Sequence, residues 1–345
     1  MKVTLFLLPL LWLLTSCGSN TVNTSHQSIE TVKSQWITKA FETLTSSNYP
    51  KIKAISWWHE NWENEDGTYS LLRLDSSHAA TLAYQKGVSN SIFTTVAQFH
   101  NSKLIETDAI YHAAFPDFGG EEENVTLTAI SQFEALADKK IVWAYFSNNW
   151  LHGIHFPKEE ALRIKDSGKI PFIRMMPRSQ FEEYVAEKTF TLQHIVDGTF
   201  DTELTAWAED AKAFRAPLLV EFGTEVNGEW FAWNGIYNGK EAGGTIFQRA
   251  YRHIIDLFRK VGVSNITWFF HVNAYSYPET AWNTIARYYP GDDYIDWVGV
   301  SIYGGLETNE PYQEFEEILD DVYPKLIALA PTKPIAILEF SITEY

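Results

Sequence analysis

Residues 218–230 read LLVEFGTEVNGEW: a short aliphatic run of strand type, then Glu225 where that strand should end. The pattern returns at 334–340 (PIAILEF), where Glu339 closes a second aliphatic run. Counting 218–224 and 334–340, eight such runs are present; the others are 52–58, 109–115, 140–147, 170–176, 266–273 and 297–303. Amphipathic stretches of helix length separate most of them, including 128–137, 202–214, 244–261 and 311–328. Strands alternating with helices imply a parallel sheet, and eight repeats imply a closed (β/α)8 barrel, the TIM-barrel form of the α/β class. The chain ends five residues after the last run, which leaves no closing helix, while residues 29–46 read as a spare helix before the first strand. A barrel is circular, so the spare helix is expected to cover the gap between last and first strands, with the two chain ends on adjacent units; the alternative is a truncated fragment with an exposed, unstable edge.

Side-chain alternation along a strand then sorts the residues by direction. Glu225 shares parity with Gly223, Glu221 and Leu219; Tyr303 with Ser301 and Gly299; Glu339 with Ile337 and Ile335; Trp58 with Ser56 and Ala54; Asn273 with His271. Several of these sets are small at depth and reactive at the end, as expected at the C-terminal mouth where barrels of this kind carry their sites. Glu225 and Glu339, three strands apart, are expected to face each other there. Glu221 points into the barrel and needs a partner, for which Arg174 is the candidate, as a structural or a binding group. Paired carboxylates at strand ends suit glycoside cleavage, in which one carboxylic acid protonates the leaving oxygen and a carboxylate about 5–5.5 Å away attacks the anomeric carbon. The competing reading makes both of them ordinary solvated strand-end glutamates.

Composition narrows the function classes. A formal charge of −17 argues against nucleic acid, whose affinity comes largely from Lys and Arg on phosphates. The 13 Trp, 17 Tyr and 22 Phe suit stacking on sugar rings, but they suit a large core equally and decide nothing alone. There is no His-Glu-x-x-His and no glycine-rich phosphate loop, so no metal and no cofactor is expected. At the start, Lys2, an apolar run over 5–14 and small residues before Cys17 make a secretory signal too short to span a bilayer. Leu14-Thr15-Ser16-Cys17 resembles the bacterial lipobox, which implies a signal peptide over 1–16, lipidation of Cys17, a polar tether over 17–30 and a catalytic barrel over 31–345. The expectation is an exported monomer anchored to a bacterial membrane through Cys17.

Three segments together resemble glycoside hydrolase family 26, known mainly for β-mannanases. The family's His-Glu-x-Asn-Gly-x-Trp-Phe-x-Trp segment is matched from Glu225 to Trp233, with Thr224 in place of the histidine. Residues 288–303 (YYPGDDYIDWVGVSIY) and the 334–340 strand are similar as well. Residues 36–62 and 72–77 look like the last helix–strand–helix portion of such barrels, yet here they come first, which implies a circular permutation with the family's eighth strand at the N-terminus.

The resemblance implies a retaining double displacement with Glu225 as acid/base and Glu339 as nucleophile. Tyr303 would hydrogen-bond Glu339, and Trp230 and Trp58 would form aromatic walls, with Trp57, Trp233 and Trp150 as weaker candidates. His59, His112, His271 and Asn273 are candidates for sugar hydroxyls, or for satisfied core groups. The loop 118–124 (FGGEEEN) reads as a subsite wall or as solvated charge. The substrate implied is a β-linked polysaccharide, β-1,4-mannan first. Thr224 makes β-glucan a competitor and β-xylan a more distant one. A non-catalytic glycan-binding lipoprotein is the reading from another class.

Overall fold

Every foreseen strand run forms a strand in the computed structural model, which describes residues 31–64, 66–307 and 310–344. In chain order these are β1 (Ile52–Trp58), β2 (Ile110–Phe115), β3 (Trp143–Asn149), β4 (Ile170–Met176), β5 (Leu218–Phe222), β6 (Ile266–Asn273), β7 (Trp297–Tyr303) and β8 (Ile335–Ser341). Each pairs in parallel with its sequence neighbour, and β1 pairs with both β2 and β8, which closes a single (β/α)8 barrel. Closure leaves none of the eight strands with a free edge. The helices are α1 (Val32–Leu44), α2 (His78–Val88), α3 (Leu127–Ala137), α4 (Lys158–Asp166), α5 (Leu192–Val196), α6 (Asp201–Phe214), α7 (Gly243–Val261) and α8 (Phe315–Leu329). α7 shows why they lie on the sheet: Phe247, Ala250, Tyr251, Ile254, Ile255 and Phe258 recur at three- and four-residue spacing and are all buried. The proposed signal and tether, with Cys17, lie outside the described residues.

The spare helix takes the place expected of it. On α1, Trp36 meets Phe315 of α8 edge-on at 5.5 Å and stacks on Phe340 of β8, while Phe41 meets Tyr84 of α2 at 5.3 Å. α1 therefore covers the seam between β8 and β1. Its buried Lys33 donates to the carbonyls of Leu71 and Arg73 at 2.6 and 2.8 Å, and the C-terminal tail reaches the same loop through Glu344 N to Leu71 O at 3.2 Å. Burying an ammonium is costly unless its donors are met, and here the two carbonyls and the Ser76 hydroxyl, at 2.9 Å, meet all three.

One parity reading is corrected. β8 carries an irregularity at Leu338: Ile337 pairs with Val300 and Ile55, whereas Glu339 pairs with Ser301 and Phe340 with Trp57. The alternation slips by one residue there, so Glu339 turns inward without sharing a face with Ile337 and Ile335. Gly299 makes room for the slip, since a Cβ there would lie 2.3 Å from Leu338 Cδ1.

A hairpin that the sequence reading did not foresee packs against the opposite end of the barrel. Residues 99–104 lie across the starts of β6 and β7, with Leu104 N donating to Thr267 Oγ1 at 2.8 Å and Trp297 Nε1 to the Leu104 carbonyl at 3.0 Å.

Candidate active site

Glu225 is delivered by a turn that leaves β5 abruptly. Gly223 (φ 63°) and Glu225 (φ 46°) are both left-handed, a region that costs a non-glycine residue about 1–3 kcal/mol unless its surroundings hold it there. Gly223 has no alternative, because a Cβ would come within 2.8 Å of Phe247. The holding is done by the motif residues that follow. Asn227 Nδ2 donates to the carbonyls of Asn273 and Tyr275 at 2.9 and 3.1 Å, and its Oδ1 accepts from Asn273 N at 2.8 Å. Trp233 Nε1 donates to Thr224 O at 2.7 Å, and Asn234 Nδ2 to Val226 O at 2.9 Å. With the backbone fixed, the Glu225 carboxylate accepts from Trp230 Nε1 at 3.0 Å and Asn273 Nδ2 at 3.2 Å.

Glu339 is held by other means. Its Oε2 accepts from the Tyr303 hydroxyl at 2.7 Å, and its Oε1 lies 3.4 Å from Arg174 Nη2. Burial pushes its carboxyl up to about 7; Arg174 pulls against that shift, Glu225 pushes with it, and His271 and the Tyr303 hydroxyl pull back. Arg174, on β4, is buried with its guanidinium over the rings of Trp58 and Tyr145 at 5.1 and 5.2 Å. Its remaining nitrogens face Glu122 Oε2 at 2.5 Å and Glu221 Oε1 at 3.5 Å. The expected partnership with Glu221 is present, and Arg174 serves Glu122 and Glu339 as well.

Trp58, Arg174, Glu225, Trp230, His271, Asn273, Tyr303 and Glu339 thus converge at one end of the barrel. Trp58 stacks on Phe115 at 4.1 Å, and Trp230 packs beside the half-exposed Tyr277 at 5.7 Å. Three expected sugar contacts are corrected. His112 faces outward between β2 and the helices, bonded to Tyr84 OH and Lys140 O at 2.9 Å, and burial lowers its pKa to about 4. Trp150 is fully buried against Phe190 and Phe222. Trp233 is buried against Phe231 and spends its N–H on Thr224. Trp57 and His59 are likewise core residues, bonded to the backbone of Leu72 and Leu74. In each case the ring was visible in the sequence and its direction was not.

The acidic loop 118–124 is not free solvated charge. Glu122, left-handed at φ 59°, reaches Arg174 and the Ser147 hydroxyl, and Glu123 Oε1 accepts from Asn149 N at 2.5 Å. Burial pushes neighbouring Glu60 up to about 9, with Glu122 and Asp117 adding to the shift against the pull of Arg174. Glu60 was missed because a single glutamate after Trp-Trp-His carries no periodic signal. Thr224, where the family histidine would stand, is fully buried and bonded to His271 Nδ1 at 2.8 Å.

A closed (β/α)8 barrel with two glutamates at its mouth, one among neutral donors and one beside a buried arginine, has the architecture of a glycoside hydrolase. Residues 175–338, which hold Glu225, Tyr303 and all but the end of β8, match the sequence model of glycosyl hydrolase family 26. That stretch makes up just under half of the chain, and its last residue adjoins Glu339. It is similar to endoglucanase H of Acetivibrio thermocellus, 26% identical over 220 residues that make up 63% of this chain and 23% of that protein. It is also similar to a β-1,3-xylanase of a Vibrio species, 27% identical over 119 residues, 34% of this chain and 24% of the relative. The chain spans about a quarter of the length of these relatives. Among solved structures, a family 26 β-mannanase of Bacteroides ovatus gives a TM-score of 0.43 at 19% identity, over 59% of this chain and 63% of that one. The family 26 domain of a Prevotella bryantii endo-β-mannanase/endo-β-glucanase gives 0.47 at 16% identity, over 64% and 74%.

Proposed function

We propose that this protein is an endo-acting retaining glycoside hydrolase that cleaves β-linked polysaccharide, β-1,4-mannan first. The observation that carries the reading is the unlike setting of the two glutamates, with Tyr303 and Arg174 on Glu339 and the neutral donors of Trp230 and Asn273 on Glu225. In the first step a Glu339 carboxylate oxygen attacks the anomeric carbon while the bond to the leaving oxygen breaks and Glu225 gives that oxygen its proton. In the second, Glu225 takes a proton from water as the water displaces Glu339 with a second inversion. Trp58 and Trp230 are the aromatic walls of the cleft.

A β-glucan is the second reading, favoured by one observation: the Thr224 side chain is buried on His271, so nothing at that position reaches a sugar. The similarity to a relative named as an endoglucanase points the same way. A non-catalytic glycan-binding protein has less support, because both carboxylates and their donors are in place. We read the chain as circularly permuted, with α1, β1 and α2 standing where the family's last helix–strand–helix portion would stand, and as a monomer exported and lipid-anchored through Cys17.

The test is reducing-sugar release by residues 18–345 on mannan, glucomannan, mixed-linkage glucan and xylan, beside Glu225→Gln. Release on one polymer, abolished in the variant, with the β-anomer formed first by NMR, is the expected outcome. A folded protein that releases nothing, or that forms the α-anomer first, would defeat it.

A further inference from the structure

Beneath the two glutamates lies a second layer whose charges the double displacement does not use. Glu221 on β5 and His271 on β6 have side chains with no exposure, and His271 Nδ1 lies 2.9 Å from Glu221 Oε2. The Tyr145 hydroxyl donates to the other Glu221 oxygen. His271 Nε2 lies 2.8 Å from Ser301 Oγ, and Ser301 is the register partner of Glu339. Two members sit two residues below a group that touches a carboxylate above: His271 below Asn273, and Ser301 below Tyr303.

The charge balance of this layer is the argument. Arg174 faces three carboxylates, Glu122, Glu221 and Glu339. Two of these, Glu221 and Glu339, are buried and Glu122 is partly exposed; one guanidinium cannot offset all three, and an uncompensated buried carboxylate costs several kcal/mol. His271 is the other ionisable cation against Glu221 and Glu339. With both nitrogens protonated, the charge lies 2.9 Å from Glu221 Oε2, Nδ1 also meets the Thr224 hydroxyl at 2.8 Å and the Tyr145 hydroxyl at 3.2 Å, and Nε2 donates to Ser301 Oγ. Burial opposes that charge, and the carboxylates of Glu221, Glu339 and Glu225 outweigh it, so the ring's pKa is raised. The groups facing Glu339 are Arg174 from β4, Tyr145 from β3, Glu225 after β5, His271 from β6 and Tyr303 from β7.

We propose that Glu221 holds His271 as an imidazolium and that this ion is the second cation of the site: by answering Glu221 it leaves Arg174 to Glu339 and keeps the nucleophile ionised. His271 is then a positioning residue that acts through Glu221 and Arg174 and touches no sugar. The inference rests on Glu339 being the nucleophile.

The experiment is an NMR titration of the whole protein, reading the ¹⁵N signals of the His271 ring and the ¹³C signal of the Glu339 carboxyl, assigned with Glu339→Gln. At pH 7 both His271 nitrogens are expected to be protonated. In His271→Gln the Glu339 titration is expected to move up by about one pH unit, and the acid limb of kcat/KM with it, at nearly constant KM. A neutral His271 ring at pH 7 in the unsubstituted protein overturns the proposal, even where the variant does not fold. An unmoved Glu339 titration with a raised KM overturns it also and makes His271 a sugar contact. If the titration moves but no polymer is cleaved, only the enzymatic reading fails.

Discussion

Glu225 and Glu339 end two strands of one barrel, yet they are placed and held in opposite ways. Glu225 is reached by a turn with two left-handed residues and is oriented by uncharged N–H groups from Trp230 and Asn273. Glu339 stays within its strand, is turned inward by the slip at Leu338, and sits beside a buried guanidinium and a tyrosine hydroxyl. The comparison teaches that a strand end offers only a position. The setting comes from the donors around it, neutral ones at Glu225 and charged ones at Glu339, which is the difference on which the proposed roles of proton donor and nucleophile rest. Both placements depart from regular strand geometry, which is where a barrel turns a side chain away from simple alternation.

The comparison breaks most sharply by neutralising each glutamate in turn. Glu339→Gln is expected to lose on the order of 10⁴-fold or more of turnover on any glycoside, since no nucleophile remains. Glu225→Gln should lose roughly 10²–10⁴-fold on polymer but still form the glycosyl–enzyme from an aryl glycoside whose leaving group needs no proton. Mass spectrometry of the trapped intermediate reads the difference, and equal losses on the activated substrate would erase the distinction.

A smaller effect tests the charged side through stability. Folding raises the Glu339 carboxyl from the ordinary 4.5 to about 7. The folded state therefore holds this proton more tightly, and the contribution to stability is full below pH 4.5 and is lost as pH rises through 7. Glu339→Gln escapes that loss, so it should exceed the parent protein by about 3 kcal/mol at pH 8, with the gap closing near pH 4.5. Thermal unfolding at the two pH values decides it; a gap independent of pH would remove burial as the cause.

The smallest effect sharpens the neutral side. Trp230→Phe keeps the ring and removes the donor to Glu225, and is expected to cost about 10-fold in kcat/KM with little change in Tm. Trp233→Phe leaves the Thr224 carbonyl without its donor and should cost about 1–3 kcal/mol of stability first. Rates and melting curves on the two variants should therefore move in opposite order, and a matching pattern would merge the two tryptophans into one role.

The eight strand runs, the helix that precedes the first of them and the two glutamates were all legible in the sequence, because periodicity and run length are local properties. The partnership of Arg174 with Glu221 was legible too, since an inward carboxylate on a buried strand demands a cation. The directions of His112, Trp150 and Trp233 were not, because the same ring serves a core or a cleft according to which face of the sheet it meets. Nor was the inward reach of the loop around Glu122, whose course depends on left-handed backbone at residues that are not glycine.

By itself the sequence determined the strands of the barrel and the positions of the two strand-end carboxylates proposed to react, since both are read from short local patterns. Only the tertiary structure decided which cation serves which carboxylate and which rings reach the mouth. Arg174, Glu122, Glu221, His271 and Glu339 come from five separate segments, and a Coulomb interaction depends on distances in space that spacing along the chain does not contain.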